Sequence, residues 1–189
     1  IYTCINTLSL HDALPISDFN PYEYLERQID QKLDHEVLRA KKTERALALI
    51  SEQRELPGIL DYLEAAKELG LKVGLASSSS RKWVEENLDR IGLKHHFEVI
   101  KTADDVDKVK PDPTLYLEAV QALNVRPHEA IAFEDSVNGS VAAKKAGLYC
   151  VVIPNPVTKH MTFGDVDHQM ETLAELNLVS LIKQAEKKG

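Results

Sequence analysis

From Pro57 onward the sequence alternates helix-patterned stretches with short apolar runs that end in polar clusters, and this alternation constrains the fold more than any other feature. Pro57 suits the first turn of a helix running to Leu69, and Gly70 closes it as a left-handed cap. "LKVGLASSSS" then reads as a buried strand followed by a helix start. The helix "RKWVEENLDRIG" comes next, closed by Gly92, and "FEVIKT" is a strand. Asp112 to Leu123 is a helix, "EAIAFED" a strand, and "VNGSVAAKKAG" a helix whose small residues permit close packing. "LYCVVIP" is a further strand, and Leu173 to Lys187 holds the last helix. Such alternation predicts an α/β fold with a parallel sheet covered on both faces. Ligands of these sheets bind where the carboxyl ends of strands meet the following loops. Chemistry is therefore expected at Ser77–Ser80, Thr102–Lys110, Glu134–Ser136 and Pro154–Asn155.

The preceding stretch is different. "PYEYLERQIDQKL" sets Tyr24, Leu25, Ile29 and Leu33 on one side of a helix, and a second helix is predicted from Asp34 to about Glu52. Residues 18–52 thus read as a separate helical piece. A chain of 189 residues suits one domain with a small appendage, and 43% hydrophobic content supports a sizeable core. The net charge of −7 argues against a nucleic-acid surface, but small phosphorylated ligands need only a few local donors. Cys4 and Cys150 form no CxxC or disulfide framework, so a cytoplasmic setting is expected. No stretch reaches the roughly 20 apolar residues of a membrane span. The opening segment lacks the basic start and apolar centre of a secretory signal.

Three strand-end loops carry reactive groups. "GLASSSS" combines hydroxyls with the amides of a helix start, fit either to cradle a phosphate or simply to cap the helix. "VKPDP" holds Lys110, a lysine that alone would read as a solvated loop residue. "AFEDS" leaves Glu134 and Asp135 at the end of an apolar strand, where adjacent carboxylates suit either a cation or the start of the next helix.

The order and spacing of the three resemble the haloacid dehalogenase superfamily of phosphotransferases. "GLASSS" matches its second motif, "VKPDP" its third and "FEDSVNGSVAAKKAG" its fourth. The resemblance is nearest to the branch with a small helical cap, which includes β-phosphoglucomutase-like and phosphoglycolate phosphatase-like proteins. It implies a three-layer Rossmann-like core over residues 55–189 and a remnant of the helical cap over 18–54. By that resemblance Ser77 and Ser78 would bind the phosphoryl group and Lys110 would neutralise charge beside it. Asp135, with Glu134 directly or through water, would hold Mg²⁺. The implied function is a Mg²⁺-dependent phosphatase or phosphotransferase acting on a small phosphorylated metabolite, as a monomer. A phosphomutase and a non-catalytic ligand- or protein-binding relative are the alternatives.

The family's first motif, an apolar strand ending in DxDGT, supplies the nucleophilic Asp and the acid–base Asp. No DxD occurs between residues 1 and 56. Asp12 follows "LSLH" and Asp18 precedes Phe19, each without a carboxylate two residues on, so neither reads as the nucleophile. "LSLHDALPI" is instead what CTTTCCCTACACGACGCTCTTCCGATC encodes, a sequence resembling a short-read library adapter. Residues 1–17 are accordingly expected to be a non-native, adapter-like segment fused to a truncated chain, which would be inactive. In the family's sheet the missing strand lies between those of the second and fourth motifs. "YTCINTLSL" has the Thr, Ile and Leu content to occupy that place, but no carboxylate to bring there.

Overall fold

In the computed structural model, which describes residues 2–5, 20–51 and 55–187, the apolar runs become strands of one parallel sheet. Strand β1 spans Tyr2–Ile5, β2 Val73–Ala76, β3 Val99–Lys101, β4 Ala130–Glu134, β5 Tyr149–Val152 and β6 His168–Gln169. Their order is β3-β2-β1-β4-β5-β6, every described pair being parallel. The central position between β2 and β4 is thus held by Tyr-Thr-Cys-Ile, with Thr3 opposite both Val73 and Ile131. Asp12, Asp18 and the remainder of the adapter-like segment lie outside the described residues.

Strand alternation produces the layers. Val73 and Leu75, Ile131 and Phe133, and Val151 face one core with α3 (Ile59–Glu68), α4 (Arg81–Arg90) and α7 (Leu178–Glu186). Ala76, Ala130 and Ala132, and Cys150 and Val152 face the other, with α5 (Thr114–Ala122) and α6 (Val137–Lys145). Leu75, Val84, Leu88 and Leu115 are fully buried, and each such side chain stabilises by about 1.5–3 kcal/mol. The Cys150 thiol lies in the second core, where burial pushes its pKa up and keeps it protonated. On the first face Tyr62 packs edge-on against Phe133, 5.5 Å between ring centres, and its hydroxyl donates to the Leu176 carbonyl. Burial pushes that hydroxyl up to about 12, so it remains a donor at ordinary pH.

The C-terminal stretch departs from the predicted single helix. Leu173–Glu175 form a short 3-10 turn capped by Thr172, and α7 begins only at Leu178, where Asn177 accepts from the Ser180 amide. Strand β6 carries no sequence signal either. It forms because Asp167 accepts from the Cys150 amide (2.8 Å) and from Lys144 Nζ (2.6 Å), which brings half-buried His168 opposite Val151. Among the described residues, no helix is long and apolar enough to cross a membrane.

The chain divides into two units, residues 1–14 with 56–189, and residues 15–55. The smaller holds α1 (Pro21–Ile29) and α2 (His35–Ser51). Helix α1 stops four residues short of the predicted Leu33, because Asp30 turns into the left-handed region (φ 50°) and Glu26 captures the chain beyond it. The Glu26 carboxylate accepts from the Leu33 amide (2.9 Å), Lys32 Nζ (3.1 Å) and His35 Nε2 (3.1 Å). The Leu33 amide, then Lys32 and His35, lower its pKa from 4.5 to about 2. A carboxyl group depressed on folding stabilises fully above its unfolded pKa and loses that contribution as pH falls through the folded one. Protection of the Leu33 amide against hydrogen exchange is therefore expected to hold down to about pH 4.5 and to fade toward pH 2. Glu26→Gln should remove the pH dependence. Persistence of the dependence in that variant would assign it to another group.

Candidate active site

The reactive loops converge at the carboxyl ends of β2 and β4, and Lys110 joins them. Lys110 is fully buried, contrary to the solvated reading of a lone lysine before proline. Its Nζ donates to the Ala76 carbonyl at the end of β2 (2.9 Å) and to Glu134 Oε1 at the end of β4 (2.7 Å). The ammonium also stands 5.0 Å from the centre of the Tyr116 ring, which adds a cation–π attraction. An Arg81–Asp105 ion pair (2.7 Å) supports the loop that delivers Lys110. The same arginine holds the Ile100 carbonyl, and Asp105 accepts from the Thr102 amide and hydroxyl.

Glu134 is 1% exposed and surrounded by donors. Oε1 accepts from Lys110 and from the Tyr116 hydroxyl, and Oε2 from Ser136 Oγ (3.2 Å). Ser136 also accepts from the Gly139 amide (3.0 Å), so this serine caps α6 and neither acidic residue does. Gly139 packs directly on the Glu134 carboxylate, and a Cβ there would overlap both oxygens and Cδ.

Asp135 is half-buried and points its chemistry elsewhere. Its Oδ2 accepts from Asn155 Nδ2 (2.9 Å), a residue of the loop that follows β5. A cavity of about 300 Å³ borders this pair, lined by Pro57, Ile59, Phe133, Asp135, Pro154 and Asn155 among others.

On the β2 side, Ser77 is buried, its amide donating to the Lys101 carbonyl (2.9 Å) and its Oγ accepting from the Ser79 amide (3.2 Å). Ser80, three residues along, is the side chain that caps α4. The capping reading therefore belongs to Ser80 and leaves Ser77 and Ser78 for other work. Ser78 Oγ is buried with no hydrogen-bond partner among the described residues. A hydroxyl in that state is costly unless a ligand oxygen or a water meets it.

The sequence-predicted residues are thus linked in two sets. Lys110, Glu134 and the end of β2 form one connected cluster, and Asp135 joins the loop after β5. Sequence reasoning misses Tyr116, because its position on α5 beside Leu115, Ala119 and Val120 reads only as core. Asn155 lies in a loop that the strand-end rule flags, but nothing in the sequence names its partner.

Among the described residues, no group of three His, Cys, Asp or Glu side chains could cage a metal ion. The donors present nevertheless fit one hard cation of modest demand. Mg²⁺ is commonly held by one or two carboxylates, with waters and substrate phosphate completing its shell. Asp135, half-buried beside the cavity with its orientation fixed by Asn155, supplies one such carboxylate, while both oxygens of Glu134 are engaged by Lys110, Tyr116 and Ser136.

Comparison with known proteins identifies the family. The family model described as haloacid dehalogenase-like hydrolase matches residues 6–153. YhcW of Bacillus subtilis (strain 168), named as a phosphatase, is 54% identical over 164 residues, covering 87% of this chain and 74% of its own. The chain spans 61% of CbbY of Cereibacter sphaeroides and 63% of hexitol phosphatase B of Escherichia coli (strain K12), less than two thirds of either. A crystal structure of CbbY from Rhodobacter sphaeroides with xylulose-(1,5)bisphosphate superposes with a TM-score of 0.69 at 34% identity, covering 86% of this chain and 77% of that one. A Thermotoga maritima structure named as a β-phosphoglucomutase shares the fold, with a TM-score of 0.73 at 23% identity over 93% of this chain and 98% of that one. With its parallel sheet, its strand-end cluster and a family match over most of its length, the chain belongs to the haloacid dehalogenase-like hydrolases.

Proposed function

We propose that the protein is a Mg²⁺-dependent phosphatase of small phosphorylated metabolites, sugar phosphates foremost. The observation that carries this reading is the buried Lys110 ammonium, which bridges the end of β2 to Glu134 immediately beside Ser77 and Asp135. Phosphoryl transfer requires chiefly positioning and charge neutralisation, and this cluster has the groups for both. Ser77 and the partnerless Ser78 hydroxyl would donate to phosphoryl oxygens. Lys110 would balance their charge. Asp135, with Glu134 directly or through water, would hold Mg²⁺, whose chemistry there is to neutralise the phosphoryl oxygens. The sugar-phosphate class is supported by relatives named for hexitol phosphate and crystallised with xylulose bisphosphate. The helices of residues 18–54 would act as the cap. The protein would work as a cytoplasmic monomer.

A second reading has its own observation. No DxD occurs in residues 1–56, and the strand between β2 and β4 reads Tyr-Thr-Cys-Ile. These 189 residues by themselves are therefore expected to bind phosphate and Mg²⁺ without forming an aspartyl-phosphate, which makes them a binder of the ligand the family hydrolyses. Isothermal titration with inorganic phosphate and a pentose bisphosphate, with and without Mg²⁺, tests the site. Binding that needs Mg²⁺ and is lost in Asp135→Asn is the expected result, and a chain that binds neither ion would overturn it. Turnover of p-nitrophenyl phosphate by the same chain, abolished by Asp135→Ala, would overturn the absence of catalysis.

A further inference from the structure

We propose that Asn155 is a positioning residue that sets the divalent-cation affinity of Asp135. The inference rests on the reading of Asp135 as a Mg²⁺ ligand and adds a residue to it. Asn155 stands between Pro154 and Pro156 in the loop after β5. Its carbonyl Oδ1 accepts from the amides of Val157 (2.8 Å) and Thr158 (3.0 Å), the local turn that asparagine side chains form. Its own backbone amide donates to Oγ1 of Thr158 (3.0 Å), which is fully buried. Those bonds commit the oxygen end of the side chain, so the nitrogen end is the one left for a partner outside the loop.

That partner is Asp135 Oδ2, 2.9 Å away across 20 residues of sequence. The bond joins the end of β5 to the end of β4, and both residues line the same cavity. It therefore fixes the rotation of the carboxylate before any cation arrives and commits one oxygen to the protein. A carboxylate held in this way loses less freedom on binding a cation than one that rotates. Hydrogen-bond partners of metal ligands typically change metal affinity about 10–100-fold when removed.

Substitutions separate this role from mere support of the loop. Asn155→Ser retains a side-chain oxygen that can close the turn but loses the donor to Asp135. Thr158→Val weakens the loop and leaves the Asn155–Asp135 bond in place. Mn²⁺ binding to the intact chain, followed by electron paramagnetic resonance, and Mg²⁺ binding by calorimetry give the affinities. Melting temperatures in EDTA report the fold. Asn155→Ser is expected to bind both cations about 10–100-fold more weakly with an unchanged melting temperature. Thr158→Val is expected to melt lower and to bind both cations as the parent does. If Asn155→Ser binds like the parent while Asp135→Asn does not bind, the role of Asn155 is refuted and Asp135 stands as ligand. If the parent binds no better than Asp135→Asn, the metal reading itself falls, and the role of Asn155 with it.

Discussion

Lys110→Met is expected to lower the free energy of unfolding by about 3–5 kcal/mol, the usual result of removing one partner from a buried ion pair. The reason lies in what remains. Glu134 is 1% exposed, and without the ammonium its buried charge loses its ion-pair partner while the Tyr116 and Ser136 hydroxyls remain as donors. Denaturant unfolding of the single variant gives the size of the effect, and the double variant Lys110→Met/Glu134→Gln tests its cause. The introduced glutamine amide would be neutral and would still accept from Tyr116, so most of the loss should return. A double variant as unstable as the single one would trace the loss to the lysine's other contacts, its stem packing and its bond to the Ala76 carbonyl, rather than to the orphaned carboxylate. A loss below about 1 kcal/mol would mean that water reaches the pair and that it behaves as a surface salt bridge. The same single variant should also lose Mg²⁺-dependent phosphate binding if, as proposed, the Lys110 ammonium balances the phosphoryl charge.

The second large effect inverts an ordinary rule. Replacing glycine by alanine inside a helix normally stabilises by about 1 kcal/mol. At Gly139, in the first turn of α6, the added Cβ would fall on both oxygens of Glu134. That carboxylate cannot withdraw, since Lys110, Tyr116 and Ser136 hold it from three directions. Either α6 must lift from the sheet or the ion pair must break. Overpacking of this kind costs about 1–3 kcal/mol or more, and a broken Lys110–Glu134 pair would add to it. Gly139→Ala is therefore expected to be clearly destabilising and to impair phosphate binding. Gly164→Ala serves as the control, because nothing lies within 4 Å of its Cβ position. Equal stability of the two variants would sink the claim that Gly139 exists to admit Glu134.

Much of the site is legible in the sequence because it depends on local pattern. Apolar runs that end in Ser77, in Glu134–Asp135 and in Pro154–Asn155 must present those residues at the same edge once the strands are parallel. Lys110 stands out by its order between the two motifs and not by its surroundings, which alone suggest solvent. The partners are hidden for a different reason. Tyr116 meets Glu134 across 18 residues and Asn155 meets Asp135 across 20, and each pairing depends on how strands and helices pack. The end of α1 is hidden as well, because a Glu26 carboxylate seven residues back competes for the Leu33 amide that periodicity assigns to the helix.

By itself the sequence determined the α/β alternation, the parallel sheet and the strand ends where chemistry gathers, since hydrophobic period and glycine or serine boundaries act within a few residues. Tertiary structure alone decided that Lys110 is buried, that Ser136 rather than an acidic residue caps α6, and that Gly139 makes room for a charge. Those outcomes rest on desolvation and on hydrogen bonds between distant segments. Neither exists until the layers close.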